Sequence, residues 1–315
     1  MEVLLIGGSG FIGKYCVNNL LAHGHNVTNI DVVEYKPLIN LDKYTYFKKD
    51  IKDEILYAFE NKEVVINFAA LLGGINYFHK YPAKLLLENE LICASVFEQS
   101  YSAYKKGLLK KIIQLSSSMV FENVNVYPSL ESDLHFIPSP SSVYGFQKLM
   151  CEYWCKAYNE EYGLPYIIVR PFNAMGIGED PSKDSHVIPQ LIYKVLKGQY
   201  PLELIGNGSQ IRVYTHAADI AEAIRLIIES DIKNIDFNIS NEKNQITVLE
   251  LAKLIWSKIC PEKEFKYVEL PDLKYDVQKR IGSSVRIKEL LNWEPKILLD
   301  NALDEIIEDM KKWVK

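Results

Sequence analysis

Features that would tie this 315-residue chain to disulfides, membranes or polyanions are scarce. Its five cysteines (Cys16, Cys93, Cys151, Cys155 and Cys260) are too scattered for a disulfide framework. Cys151 and Cys155 stand one helical turn apart, yet no histidine pair completes a zinc site, so no metal is expected. They read as small buried side chains in a reducing cytoplasm. No apolar run reaches the roughly 18 residues of a membrane span. The N-terminus reads as a strand with an acid at Glu2, not as a basic, apolar leader. No Lys/Arg block is present and the formal charge is −5, which argues against nucleic acid or an anionic membrane as partner. Repeats, linkers and low-complexity tracts are missing too. What remains, 48% apolar and 24% charged, suffices for one large α/β domain or two.

The richest stretch is MEVLLIGGSGFIG at residues 1–13. An apolar run, Val3 to Ile6, leads into Gly7, Gly10 and Gly13 at three-residue spacing, and an amphipathic segment follows. That order is strand, tight turn, helix start, and it lets backbone approach a pyrophosphate seated on the helix N-terminus. Asp31 closes a second apolar strand about 20 residues further on, where a carboxylate accepts hydrogen bonds from an adenosine ribose. The pair predicts a bound dinucleotide, and the acid favours NAD over NADP. Glycines alone could mark a turn that binds nothing; the flanking strand and Asp31 decide against that.

Short β-rich runs alternate with helical patterns through the first 170 residues. Strands are expected near 2–6, 26–30, 44–48, 63–68, 110–116 and 165–170, with helices at 12–23, 51–60, 81–106 and 143–162. This alternation predicts a doubly wound parallel sheet of Rossmann type. After residue 173 come a loop with Gly176 and Gly178, a helix at 187–197, a turn-rich region at 198–216 and a helix to about Glu229. A strand at 235–239 follows, then helices at 247–259, 285–292 and 301–313. The expected division is a cofactor domain over 1–173, to which 211–240 return, and a smaller substrate-binding lobe over 174–210 and 241–315.

Tyr144 and Lys148, in SVYGFQK, share one helix face. An ammonium beside a phenol favours the phenolate, which can act as a general base. With 20 tyrosines, the spacing also occurs at Tyr44/Lys48, Tyr101/Lys105, Tyr193/Lys197 and Tyr275/Lys279, where a solvated helix face is the plainer reading. Context selects Tyr144. The strand Lys111–Leu115 ends in Ser116, Ser117 and Ser118, and Tyr166–Arg170 ends in Pro171, Phe172 and Asn173. Open α/β sheets bind ligands at such carboxyl ends, and Tyr144 starts the helix that joins these two strands. A serine run alone is more often a turn cap.

These motifs resemble the extended short-chain dehydrogenase/reductases, in the nucleotide-sugar epimerase and dehydratase group, and lie closest to NAD-dependent sugar 4-epimerases. The resemblance covers GGSGFIG at 7–13, Asp31, Asp50–Ile51, NFAA at 67–70, SSSMVF at 116–121, YGFQK at 144–148 and RPFN at 170–173. It continues through HVIP at 186–189, QIRVYTHAAD at 210–219 and LNWEP at 291–295. It implies that Tyr144 is the base, that Lys148 holds the nicotinamide ribose and that Ser117 shares the hydrogen bond to the reacting sugar hydroxyl. Gly7, Gly10, Phe11, Ile12, Gly13, Asp31, Asp50, Ile51, Ala69, Ala70, Ser116 and Pro171 would complete the NAD site. Ser118, Asn173, His186, Val187, Arg212 and Arg280 would line a nucleotide-diphosphate sugar cleft, and a guanidinium such as Arg212 suits a diphosphate. A homodimer through 81–106 and 143–162 is implied as well, with Leu85, Leu86, Ile92, Val96, Trp154 and Tyr158 as apolar candidates; these faces could instead only cover the sheet.

Departures from the pattern narrow the chemistry. The resemblance places the two acids of sugar dehydratases at Ser118 and Met119, which cannot eliminate water. Met119 also stands where GDP-sugar 3,5-epimerases place a cysteine, and a thioether exchanges no proton. Gly73, Gly74, Ile75 and Ser185 nevertheless fit that group. His186 reads first as a substrate hydrogen-bonder or a helix start, and second as a catalyst. Phe121-Glu122 and Asn67 replace commoner residues, and Leu273 to Asp276 replace a usual ribose contact. The expected reaction is transient oxidation of a sugar at C4, with return of hydride to the other face. The alternatives are a GDP-sugar 3,5-epimerase/4-reductase, a 4-dehydrogenase or reductase with exchangeable cofactor, and a non-catalytic dinucleotide sensor.

Overall fold

A computed structural model of the chain describes residues 1–72, 80–179, 181, 186–271 and 277–314. Its centre is a seven-stranded parallel sheet: β1 (Glu2–Ile6), β2 (Asn26–Asp31), β3 (Tyr44–Lys48), β4 (Val64–Asn67), β5 (Lys111–Leu115), β6 (Tyr166–Pro171) and, late in the chain, β11 (Ile235–Ile239). The spatial order β11-β6-β5-β4-β1-β2-β3 reverses direction between β1 and β4. That switch point opens a crevice at the carboxyl ends of the strands.

The inner strands β1, β4, β5 and β6 are buried on both faces, as a sheet covered twice requires, while the edge strand β3 is not. Val3 and Leu5 face a core with α1 (Phe11–Ala22) and α5 (Ala217–Glu229), while Leu4 and Ile6 face another with α2 (Pro82–Tyr104) and α3 (Val143–Tyr162). A separate apolar cluster joins α4 (Val187–Leu196), α6 (Val248–Ile259) and α8 (Leu299–Met310) around Leu191, Ile255 and Leu303. Ile287 of α7 (Val285–Leu291) and Trp293 pack back into the first core.

Two sequence expectations change. No helix spans 51–60; the segment makes only a short 3-10 turn at Leu56–Phe59. The buried Gln99 of α2 accounts for this, since its side chain takes the Ile55 N–H and donates to the carbonyls of Ile51 and Asp53. Backbone groups satisfied in this way need no helical ladder. The turn-rich stretch 198–216 contains β8 (Leu202–Ile205), β9 (Ile211–Val213) and β10 (Thr215–His216). Their partners are remote: β7 (Ala174–Met175) for β10, β13 (Tyr267–Leu270) for β8, and both β12 (Gln245–Thr247) and β14 (Lys279–Arg280) for β9.

Candidate active site

The glycine turn sits at the switch point, and each glycine has its own reason. Gly7 has φ +80°, and a Cβ there would lie 2.6 Å from the Ala69 nitrogen after β4. Gly13 packs helix on turn: a Cβ would meet the Gly7 oxygen and Gly8 Cα at 2.7 Å. Gly10, by contrast, has ordinary dihedrals, and a Cβ would meet only the Gly7 oxygen, at 3.3 Å. Its side is open, and α1 starts beyond it at Phe11 and Ile12 with no side-chain cap and no acid in its first turn. Uncapped N–H groups at a helix start suit an anion.

Asp31 does two things. Its carboxylate accepts from the backbone N–H of Ser9 at 2.9 Å and of Val33 at 3.0 Å, so it braces the glycine turn while remaining half-exposed. Gly8 was not singled out in the sequence, yet it packs on the buried Asn29, whose Oδ1 accepts the Gly8 N–H at 3.0 Å. A polar residue in mid-strand was the available signal. Asp50 is half-exposed and accepts from Lys52, whereas Ile51 is buried. Ala69 and Ala70 are half-buried beyond β4, where Asn67 accepts the Ala69 N–H and donates to Gln114. Asn89 of α2 clamps the next turn, bonding both the N–H and the carbonyl of Leu71.

The serines beyond β5 diverge. The Ser116 hydroxyl donates to Glu152 at 2.6 Å and so faces α3, leaving only its backbone for a ligand. Ser117 is half-buried and its Oγ accepts the Met119 N–H at 3.1 Å, capping the turn Ser118–Phe121; Ser118 is buried. Gly145 lets α3 close on this turn, since a Cβ there would lie 2.8 Å from the Met119 oxygen. Tyr144 is therefore brought beside the Ser117 turn. Lys148 is buried, its Nζ 5.9 Å from the centre of the Tyr144 ring and 3.3 Å from the Leu115 carbonyl that it bonds.

Behind these groups lies a buried charge network that sequence patterns did not reveal. Glu152 receives two hydrogen bonds from Arg170, at 2.7 and 2.8 Å, and Arg170 also pairs with Asp236 at 2.6 Å. This ties α3 to β6, whose last residue is the buried Pro171, and to β11. Asp236 is held below the usual carboxylate range: burial pushes it up, but Arg170 and Arg286 outweigh that.

Beyond the end of β6, Arg212 and Arg280 are register partners on β9 and β14. The Arg280 guanidinium donates to Asn173 Oδ1 at 3.2 Å, while Asn173, at φ +39°, donates to the Val213 carbonyl. The His186 imidazole, 66% exposed, pairs through Nδ1 with Glu179 and precedes the exposed Val187 that starts α4. Local desolvation lowers the affinity of His186 for a proton, but Glu179 more than restores it, so the group is held above its ordinary value. Glu179 was not anticipated from the sequence. Gly73, Gly74, Ile75, Ser185 and Leu273 to Asp276 lie outside the described residues. Among the described residues, no group of three or more His, Cys, Asp or Glu could hold a metal, and no helix is long and apolar enough to cross a membrane.

Three comparisons bear on this site. A family model described as the NAD dependent epimerase/dehydratase family matches residues 3–240. The UDP-glucose 4-epimerase of Halalkalibacterium halodurans is 30% identical, over 100% of this chain and 96% of its own. The crystal structure of UDP-glucose 4-epimerase with UDP-glucose from Thermotoga maritima superposes with a TM-score of 0.87 at 29% identity, covering 100% of both chains. The UDP-N-acetylglucosamine 4-epimerase from Methanobrevibacter ruminantium M1, in complex with UDP-N-acetylmuramic acid, gives 0.86 at 26%, covering 99% of this chain and 98% of that one.

Proposed function

Because this chain belongs to the NAD-dependent epimerase/dehydratase family, we propose that it inverts C4 of a nucleotide-diphosphate sugar, with UDP-hexoses as the first substrates to try. The carrying observation is that the Ser117 turn, Tyr144 and Lys148 gather at the carboxyl edge of the same sheet whose switch point holds the glycine turn. The 4-epimerases to which the chain is similar, with their UDP-sugars, support the substrate class.

NAD, when bound, supplies the hydride acceptor and donor. The glycine turn, the start of α1, Asp31, Asp50, Ile51, Ala69, Ala70 and the Ser116 and Pro171 backbones would hold it. Tyr144 would take the proton of the C4 hydroxyl and later return it, a general base followed by a general acid. Ser117 would share that hydrogen bond, and Lys148 would fix the nicotinamide ribose. Arg212 and Arg280 would grip the diphosphate, a fork that matches its oxygens. Asn173, Ser118, His186 and Val187 would complete the cleft around the sugar nucleotide. With the C4 hydride given up as well, the sugar would be a 4-ketone. It would turn over within the cleft, so that hydride returns to its other face while Tyr144 gives the proton back to the oxygen.

Residues 1–173 and 211–240 would form the cofactor domain, and 174–210 and 241–315 the substrate lobe. The apolar clusters follow that division only in part: Ile287 and Trp293 join the first core, Tyr214 joins the lobe's cluster, and Ile281 packs with Val120, Phe121 and Phe172. Strand β9 likewise pairs with β12 and β14 of the lobe. A homodimer through α2 and α3 is part of the reading. Leu85, Val96 and Tyr158 are buried in the protomer's own core and Leu86, Ile92 and Trp154 are half-buried, so the exposed Leu87, Leu91, Phe146, Tyr153 and Tyr162 are the more accessible side chains for a partner. Five free cysteines suit a cytoplasmic site of action.

Tyr144→Phe tests the chemistry. Bound NAD should stay while turnover falls at least about 100-fold, in line with the loss of a general acid–base group. Unchanged turnover would remove Tyr144 from the reaction.

A further inference from the structure

Tyr15 lies on α1, two residues beyond the last motif glycine, yet its hydroxyl leaves the cofactor turn altogether. It accepts the backbone N–H of Ile177 at 2.8 Å and donates to the Ile177 carbonyl at 3.3 Å. The neighbouring Gly176, at φ +152°, admits this approach, since a Cβ there would stand 2.7 Å from the phenol oxygen. One residue further on, the Gly178 N–H is taken by Asp309 of α8 at 3.2 Å. The loop is thus pinned from two sides immediately before Glu179, the carboxylate that holds His186.

The phenol is itself held in place. Its ring meets Phe11 edge-on at 5.9 Å and His216 at 5.5 Å. His216 caps α5 by accepting the Ala218 N–H through Nδ1, and its Nε2 bonds Glu305 at 2.6 Å. Burial pushes the Tyr15 phenol up to about 12, and Glu305, Asp309 and Glu179 act in the same direction, so it stays a neutral donor.

We propose that Tyr15 is a positioning residue that fastens the dinucleotide-binding helix to the loop carrying Glu179, and so sets His186 in the sugar-nucleotide cleft. The proposal rests on the reading of that cleft given above. A residue that only packed α1 would need a ring but no hydroxyl aimed at a single peptide unit. Both bonds of the hydroxyl go to Ile177, in the segment leading from β7 to the cleft wall. Tyr15 would touch neither cofactor nor substrate, and its influence would pass through the loop.

The test is Tyr15→Phe, which keeps the ring against Phe11 and His216 and deletes only the hydroxyl. Three quantities are read: NAD retained on purification, hydrogen exchange of the amides at 176–179 in the NAD-bound protein, and KM against kcat for UDP-hexoses. The expected result is full NAD content, exchange of the Ile177 amide faster by about fivefold, and KM raised by about the same factor with kcat within about twofold. Asp309→Asn, which weakens the second pin, should speed exchange at Gly178 and leave Ile177 slower than in Tyr15→Phe. Unchanged exchange and KM in Tyr15→Phe would overturn the proposal, as would a KM increase that only tracks lost NAD. If the unmodified protein turns over no nucleotide sugar, the substrate reading fails by that control, and the exchange at Ile177 still decides the role of Tyr15.

Discussion

Gly10 and Gly13 belong to one motif but should fail differently when a methyl group is added. A Cβ on Gly13 would sit 2.7–2.8 Å from the Gly7 oxygen and the Gly8 Cα and carbonyl carbon, all backbone, so α1 must shift away from β1. Overpacking of this kind costs about 1–3 kcal/mol, and for a chain of this size about 2 kcal/mol lowers Tm by roughly 3 °C. A Cβ on Gly10 meets only the Gly7 oxygen at 3.3 Å, and the residue already has φ −70° and ψ 175°. Gly10→Ala should therefore leave Tm within about 1 °C, because alanine adopts these dihedrals without strain. Its methyl would stand on the open side of the turn, where backbone must approach the pyrophosphate. We expect NAD affinity to fall by about 10- to 100-fold, or about 1.4–2.8 kcal/mol. Calorimetric titration of NAD and thermal melts of both variants, after removal of carried-over cofactor, check this. Gly10→Ala binding NAD as tightly as the unmodified chain would refute the assignment of the turn, and Gly13→Ala melting unchanged would refute the packing argument.

Three further outcomes follow from the buried groups. Glu152→Gln leaves the buried Arg170 with half of its compensation and should destabilise the protein by about 3 kcal/mol in urea titrations; a loss below about 1 kcal/mol would mean that the network relaxes freely. Asp236 has a lowered folded-state value, so its stabilising contribution is present above the unfolded carboxylate value near 4 and disappears as pH falls through the lower folded one. The stability gap between Asp236→Asn and the unmodified protein should thus be full at pH 7 and shrink below about pH 4; a gap that stays constant contradicts the pairing. Lys111, whose ammonium bonds the carbonyls of Ile227, Ser230 and Ile232 at the end of α5, should resist replacement: Lys111→Met is expected to cost about 2 kcal/mol by leaving those acceptors bare.

Much of the fold was legible because local pattern and global position agree. The continuous apolar strands, the glycine turn and the Tyr144 helix are each specified within about a dozen residues. The same locality explains the failures. Residues 51–60 carry a helical pattern, but Gln99, some 45 residues away, satisfies their backbone first. β8 and β9 are three or four residues long and exist only through partners such as Tyr267 and Arg280. In the site, Arg212, Arg280 and Asn173 were grouped by resemblance alone, and the fold sets them side by side through the β9–β14 pairing and the Arg280–Asn173 hydrogen bond. Glu179 and Glu152 were invisible because a lone carboxylate looks like surface until the fold supplies His186 or Arg170. The apolar residues Leu85, Val96 and Tyr158 fitted both an intersubunit face and a cover for the sheet, and burial resolves them as the latter.

The central claim is reversible oxidation at C4 of a nucleotide sugar with the hydrogen kept on the enzyme. It is tested most directly by incubating the protein with UDP-glucose, UDP-N-acetylglucosamine and UDP-glucuronate, each carrying deuterium at C4, and reading configuration and label by NMR. The account predicts that at least one is converted to its C4 epimer with deuterium retained at that carbon and no net accumulation of NADH. Epimerisation with the label lost to water, or no inversion of any of the three by NAD-loaded protein, would contradict it.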